Sequence, residues 1–203
     1  MQLVEHNNAA HFTRSSEKME MMSPRALEIW QFINIILLSL VTAVFWGTWL
    51  GLSRSMASLS AETFLEVGHA MIANLGTIMA ILMPAALLST LPVLYLQYRG
   101  GSKTFYPTLA GFIFFVVALL ITLRVEVPLD YQFAQWTGTT LPGNWTELRD
   151  RWEWFHALRS WVAVAGLALT LAGALFWRDG ARERRVEPNS RYKIKDGKIL
   201  WQK

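Results

Sequence analysis

Hydrophobic positions in this chain gather into four blocks, at residues 29–52, 69–96, 105–127 and 160–177, with short polar stretches between them. A helix needs about 20 mostly apolar residues to cross a hydrocarbon core, and each block meets or approaches that length. The pattern predicts an all-α fold, a four-helix transmembrane bundle spanning residues 29–177. Pro84 and Pro92 interrupt the second block. Proline removes a backbone donor and crowds the preceding turn, so a kink is expected near Pro84 and fraying near Pro92. The connection from Gln97 to Lys103, with Gly100 and Gly101, makes the second and third helices antiparallel neighbours. Residues 1–28 are mostly polar and lack the regions of a cleaved signal peptide. They are expected to be a disordered segment ahead of an uncleaved anchor.

Composition agrees with the pattern. Hydrophobic residues make up 53% and charged residues 17%, against roughly 25% charged in soluble domains. The absence of cysteine excludes disulfides, thiolate metal sites and cysteine nucleophiles. A net charge of +4 would suggest nucleic acid if it were spread over the chain. It comes instead largely from a basic tail, residues 178–203, where a topology signal is the simpler reading and no nucleic-acid partner is implied. Of the 19 lysines and arginines, only Arg54, Arg124, Arg149, Arg151 and Arg159 fall on the side of the bundle opposite the termini. The imbalance places both N- and C-termini in the cytoplasm, with the connections at residues 53–68 and 128–159 outside. The expected location is a bacterial inner (plasma) membrane, with membrane lipid as the surrounding partner. Within the tail, Asp196-Gly197 between alternating residues predicts a short β-hairpin-like element, a candidate contact for a protein partner.

The chemistry concentrates in Asn144–Arg159, NWTELRDRWEWFHALR. On a helix, Trp145, Arg149, Trp152, His156 and Arg159 follow steps of four and three and share one face. Asn144 and Glu147 have the spacing of a capping box at a helix start. Around the same end of the bundle gather Arg54, Glu66, His69, Arg124, Glu126, Asp130 and Arg151, with Asn74 nearby in the second span. Bundle proteins build ligand sites from side chains on facing helices, and ionisable residues at membrane depth face protein, water or ligand. The unperturbed pKa of histidine, about 6.5, puts His156 within reach of neutral pH as a base, and nearby arginines favour its neutral form. Arg151 or Arg159 can then hold the resulting anion. The plainer alternative is an interfacial lattice of ion pairs, with Glu147 meeting Arg151 and with Asp130 or Glu126 answering Arg124 and Arg159. His69 and His156 together can be read as metal or haem ligands, but no His-Glu-x-x-His pair supports that. No cofactor is predicted, and haem or a metal ion is the alternative. Trp49 and Trp152, with Phe45, Trp46, Trp136 and Trp154, either wall a flat aromatic molecule or form an interfacial belt.

The segments VEVPLDYQFAQW (Val125–Trp136) and WTELRDRWEWFHALRSWVAVAG (Trp145–Gly166) resemble the small four-span family that includes fungal anthrone oxygenases. That family's pattern is a Val-Pro-(Asn/Asp) turn ending span three, then a tryptophan, an arginine-rich turn and Trp-x-x-x-His-x-x-Arg. It falls here on Val127, Pro128, Asp130, Trp136, Arg151, Trp152, His156 and Arg159, with Asp130 where asparagine is favoured. The FWGTWLGLSRSM and FLEVGHAMIANLG segments also fit, so the resemblance covers about residues 30–177. It implies insertion of oxygen into the activated methylene of a hydrophobic phenolic or quinonoid molecule, without a cofactor. In that reading His156, Arg159 and Arg151 are catalytic, and Trp152, His69, Asp130, Asn74 and Trp49 contact substrate. Two other functions fit the residues: a non-enzymatic membrane subunit that binds a protein partner, and a haem- or quinone-binding protein.

Overall fold

The structure, a computed structural model, describes residues 2–56, 58–176, 192–195 and 198–201, with side chains described between Arg25 and Phe176. Helix α1 (Gln2–Thr48) passes through a π-helical turn, Trp49–Ser53, into the short α2 (Arg54–Met56). Helix α3 covers Ala61–Arg99, and α4 (Phe105–Ile121) continues through a second π turn, Thr122–Glu126, into α5 (Val127–Phe133). Helix α6 runs from Trp145 to Phe176. Four stretches are therefore long and apolar enough to cross a membrane: Arg25–Met56, Ala61–Arg99, Phe105–Phe133 and Trp145–Phe176, here spans one to four. The chain is an integral membrane protein. Its outer surface carries large exposed hydrophobic residues such as Ile81, Leu88, Ile113, Leu120 and Leu175, as a lipid-facing surface requires.

Several boundaries differ from the sequence reading, each for a physical reason. The backbone of residues 2–24, expected to be disordered, continues α1. Span two does not fray at Pro92; it is helical to Arg99, with Pro84 and Pro92 inside it. Neighbouring helices can hold a proline-containing membrane helix together, and here span one does so. Nδ2 of Asn34 donates to Oγ1 of Thr90 at 2.7 Å, to Oγ of Ser89 at 2.9 Å and to the Ala86 carbonyl at 3.3 Å. Span four begins at Trp145, so the charged stretch is the first half of the fourth helix. The Asn144 carbonyl accepts from the backbone N of Glu147 and Leu148, closing the first turn. Strands β1 (Tyr192–Lys195) and β2 (Lys198–Trp201) pair antiparallel, Tyr192 opposite Trp201. The expected Asp196-Gly197 turn and residues 177–191 lie outside the described residues.

The core is built in two storeys. One cluster joins all four spans through Leu38, Val41, Phe45, Met83, Ala86, Phe115, Ala118 and Ala163. The other sits under the long connection and contains Met56, Phe64, Leu65, Leu129, Phe133 and Trp152. Spans three and four approach closely along a seam of small residues, which is how membrane helices gain packing without a hydrophobic driving force. A Cβ added at Gly111 would meet Oγ1 of Thr170 and lie 2.7 Å from the Gly166 carbonyl oxygen. One added at Gly166 would lie 3.0 Å from Cβ of Phe114. Spans two and three, by contrast, are much less closely packed.

Gly111→Leu forces this seam apart and should cost at least the 1–3 kcal/mol typical of overpacking. The expected result is a clear fall in the thermal unfolding midpoint of the purified protein; Gly76→Leu, where an added Cβ meets nothing within 4 Å, should leave that midpoint nearly unchanged. Equal midpoints for the two variants would contradict the seam.

Candidate functional site

Between the two storeys lies a cavity of about 430 Å³. Its polar wall comes from Thr48 of span one, Thr122 and Asp130 of span three, and Trp152, His156 and Arg159 of span four. Span two supplies an apolar wall that includes Met71, Leu75, Met79 and Met83. Both π turns adjoin the polar wall. Thr48 immediately precedes the first, and the second begins at Thr122 and ends at Glu126. A π turn holds an extra residue per turn, which re-aims the side chains around it, and such turns recur at functional sites.

Glu126 organises this wall from behind. It is 0% exposed, beside His156 at 1% and Arg159 at 9%. Nη2 of Arg159 forms an ion pair with Oε2 of Glu126 at 3.1 Å, and Nη1 donates to Oγ1 of Thr122 at 3.2 Å. The guanidinium also lies over the Phe45 ring, 4.5 Å from its centre, a cation–π contact. Nη2 further approaches Nδ1 of His156 at 2.9 Å. Arginine only donates, so Nδ1 accepts and the ring proton belongs on Nε2. Nε2 then donates to Oγ1 of Thr48 at 2.9 Å, whose own hydroxyl donates to the Val44 carbonyl at 2.7 Å. Oε2 of Glu126 lies 3.3 Å from Nδ1, placed to receive a proton-bearing Nδ1. Two buried atoms among the described residues have no partner here: Oε1 of Glu126 and Nε of Arg159.

Asp130 sits one helical turn beyond Glu126. Nε1 of Trp152 donates to its Oδ1 at 3.0 Å, and the Trp152 ring is packed 4.9 Å from that of His156. No other described hydrogen bond reaches the Asp130 carboxylate, which leaves its second oxygen available to a molecule in the cavity. The wall thus offers a carboxylate acceptor, a guanidinium with a spare donor and an imidazole fixed in one tautomer.

The other sequence-predicted residues lie elsewhere. Arg151 is exposed, its guanidinium 6.0 Å from the Phe155 ring centre. Asn74 is exposed. Trp49 packs with Trp46 and Trp161, at 5.1 and 6.0 Å between ring centres. His69 bonds through Nε2 to the Phe133 carbonyl at 2.8 Å and lines a separate depression with Trp136 and Glu62. The ion-pair lattice is smaller than expected: Arg149 meets Asp150 at 2.8 Å, and Glu126 answers Arg159 while Arg124 is exposed. Among the described residues no three histidine, aspartate or glutamate side chains are grouped to hold a metal ion. Thr48, Thr122 and the central role of Glu126 were missed in the sequence. For span three a signal existed, since Thr122, Glu126 and Asp130 recur at steps of four.

A bundle of four membrane-spanning helices enclosing a chamber with a charged wall defines an integral membrane protein with an internal polar site. The family model for anthrone oxygenase matches residues 69–169, and over these residues the chain belongs to that family. The match starts at His69 in span two and ends within span four, so it takes in every element of the cavity except span one. No curated protein and no solved structure matches the chain.

Removing Glu126 leaves a buried guanidinium without its counter-charge. Breaking a buried pair from one side typically costs about 3–5 kcal/mol, so Glu126→Ala should lower the unfolding midpoint sharply in lipid nanodiscs. Glu126→Gln, which keeps an acceptor for Arg159, should fall between Glu126→Ala and the natural protein. If both variants melt with the natural protein, Glu126 does not hold the site.

Proposed function

We propose that this protein is a cofactor-independent oxygenase that oxidises the activated methylene of a membrane-dissolved phenolic or anthrone-type molecule to a carbonyl. The observation that carries the reading is the segregation of the cavity: one wall with Asp130, His156 and Arg159, facing walls that are apolar. Family membership of residues 69–169 supports it.

In the proposed reaction Asp130 takes a proton from the methylene. Arg159 stabilises the enolate oxygen electrostatically, as preorganised donors do in a site that excludes water. Dioxygen then adds to the carbanionic carbon. Asp130 returns its proton to the peroxide, and cleavage of the O–O bond with loss of water leaves the new C=O. The balance is CH2 plus O2 giving C=O plus H2O. We assign the proton transfer to Asp130 rather than to His156 because Nδ1 of His156 is occupied by Arg159 and Nε2 carries the proton shared with Thr48. His156 instead holds Arg159 in place from one side, and Glu126 does so from the other. Arg151, exposed beside Phe155, has no role in these steps.

Oxygen uptake with an anthrone tests the assignment. Asp130→Asn should lower kcat by about 10²–10⁴, the usual contribution of a positioned acid–base group, with substrate affinity retained. Arg159→Lys should lower it too, because lysine lacks the planar fork that serves Glu126 and Thr122 together. Full activity in Asp130→Asn with loss in His156→Gln would return the base to His156.

The proposed topology has both termini in the cytoplasm of a bacterial inner membrane, so the cavity opens near the outer side. Because the chain has no cysteine, Thr139→Cys gives a single thiol in the long connection. It should react with a membrane-impermeant maleimide on intact cells; labelling only after lysis would reverse the topology.

A further inference from the structure

The cavity is longer than its polar wall. On span four the lining residues run from Trp152 to Arg159, about 10 Å of helix at 1.5 Å per residue. On span two they run from Met71 to Pro84, about 20 Å on the same scale. Past the Arg159–Phe45 contact the lining is apolar: Leu119 of span three faces Met79 and Met83 of span two, and all three pack against the apolar core. Methionine side chains adapt to irregular apolar guests. A compact fused-ring molecule seated at Asp130 and Arg159 leaves this extension unfilled.

The extension also has an opening. Gly76, Ala80 and Pro84 of span two and Leu123 of span three line the cavity and are at the same time exposed on the outer surface of the bundle. Spans two and three are packed together far less closely than spans three and four. A Cβ placed on Gly76 would meet nothing within 4 Å. Polar groups are thus confined to one end, and an apolar slot opens sideways where lipid chains surround the helices.

We propose that the chamber takes a two-part amphiphile, an anthrone-type phenolic ring system with its methylene against the Asp130–Arg159 wall, carrying an apolar chain that runs along Met79 and Met83 and leaves between spans two and three into the bilayer. The inference rests on the proposed ring-binding function and narrows its substrate class to chain-bearing rings. Dissolved in the bilayer by its chain, such a molecule reaches the site laterally, ring last to leave the headgroup layer, without passing through water.

The test uses the full chain in nanodiscs with two probes, anthrone and anthrone bearing a ten-carbon alkyl chain, and reads binding by quenching of tryptophan fluorescence. Partition of the probe into lipid is the same for every variant, so comparison between variants removes it. Ala80→Phe, with Gly76→Phe as a second variant, fills the slot without touching the polar wall. Weakening of the chain-bearing probe by at least tenfold, with less than a twofold change for bare anthrone, supports the proposal. Equal affinities in both variants and the natural protein for the chain-bearing probe overturn the slot while leaving ring binding intact. Failure of the natural protein to bind either probe overturns both the slot and the proposed function.

Discussion

A guanidinium buried among membrane helices is the constraint from which the rest of this bundle follows. Arg159 is charged at any accessible pH, and an isolated charge in a low-dielectric interior is among the most costly groups a fold can carry. Every polar group around it answers that cost: the carboxylate of Glu126, the hydroxyl of Thr122, the ring nitrogen of His156 and the face of Phe45. The carboxylate must come from span three, and the imidazole from span four itself. The two π turns bring Thr48, Thr122 and Glu126 to the positions this arrangement needs, against the regular α-helical register.

The packing of the helices divides along the same lines. Spans three and four, which carry the charges, are locked by the glycine seam at Gly111, Gly166 and Gly173, so the distances between Glu126, His156 and Arg159 are set by backbone contact. Span two is held to span one through Asn34 and the hydroxyls of Ser89 and Thr90 and stands off from span three. The cavity is the space left by this unequal packing.

Four spans, the bundle and the end at which buried polar residues gather were legible in the sequence, because hydrophobic blocks and the cost of intramembrane charge leave few alternatives. His156, Arg159, Trp152 and Asp130 were also legible: three share a helical stripe and the fourth lies in the family's turn. Arg151 shows where such reading fails. It lies one residue from Trp152 and is chemically equivalent to Arg159, yet a single step along a helix turns a side chain by about 100° and sends it to the surface. Glu126 was visible but undervalued, since a charge near a span end resembles an interfacial ion pair until its neighbours are known. Thr48 carried no signal, because its role depends on contact with a residue 108 positions away. The helical continuity past Pro92 was likewise hidden in contacts with another span.

The separation of walls has a consequence for how such a protein can change. Reactive groups reside on spans one, three and four, where each supports the others and a substitution disturbs several at once. Span two contributes shape alone, through side chains that take no part in the charged network. Under the proposed function, its lining positions are therefore free to drift independently, and a lineage can exchange one lipid-soluble guest for another by altering a single helix while the proposed chemistry stays untouched.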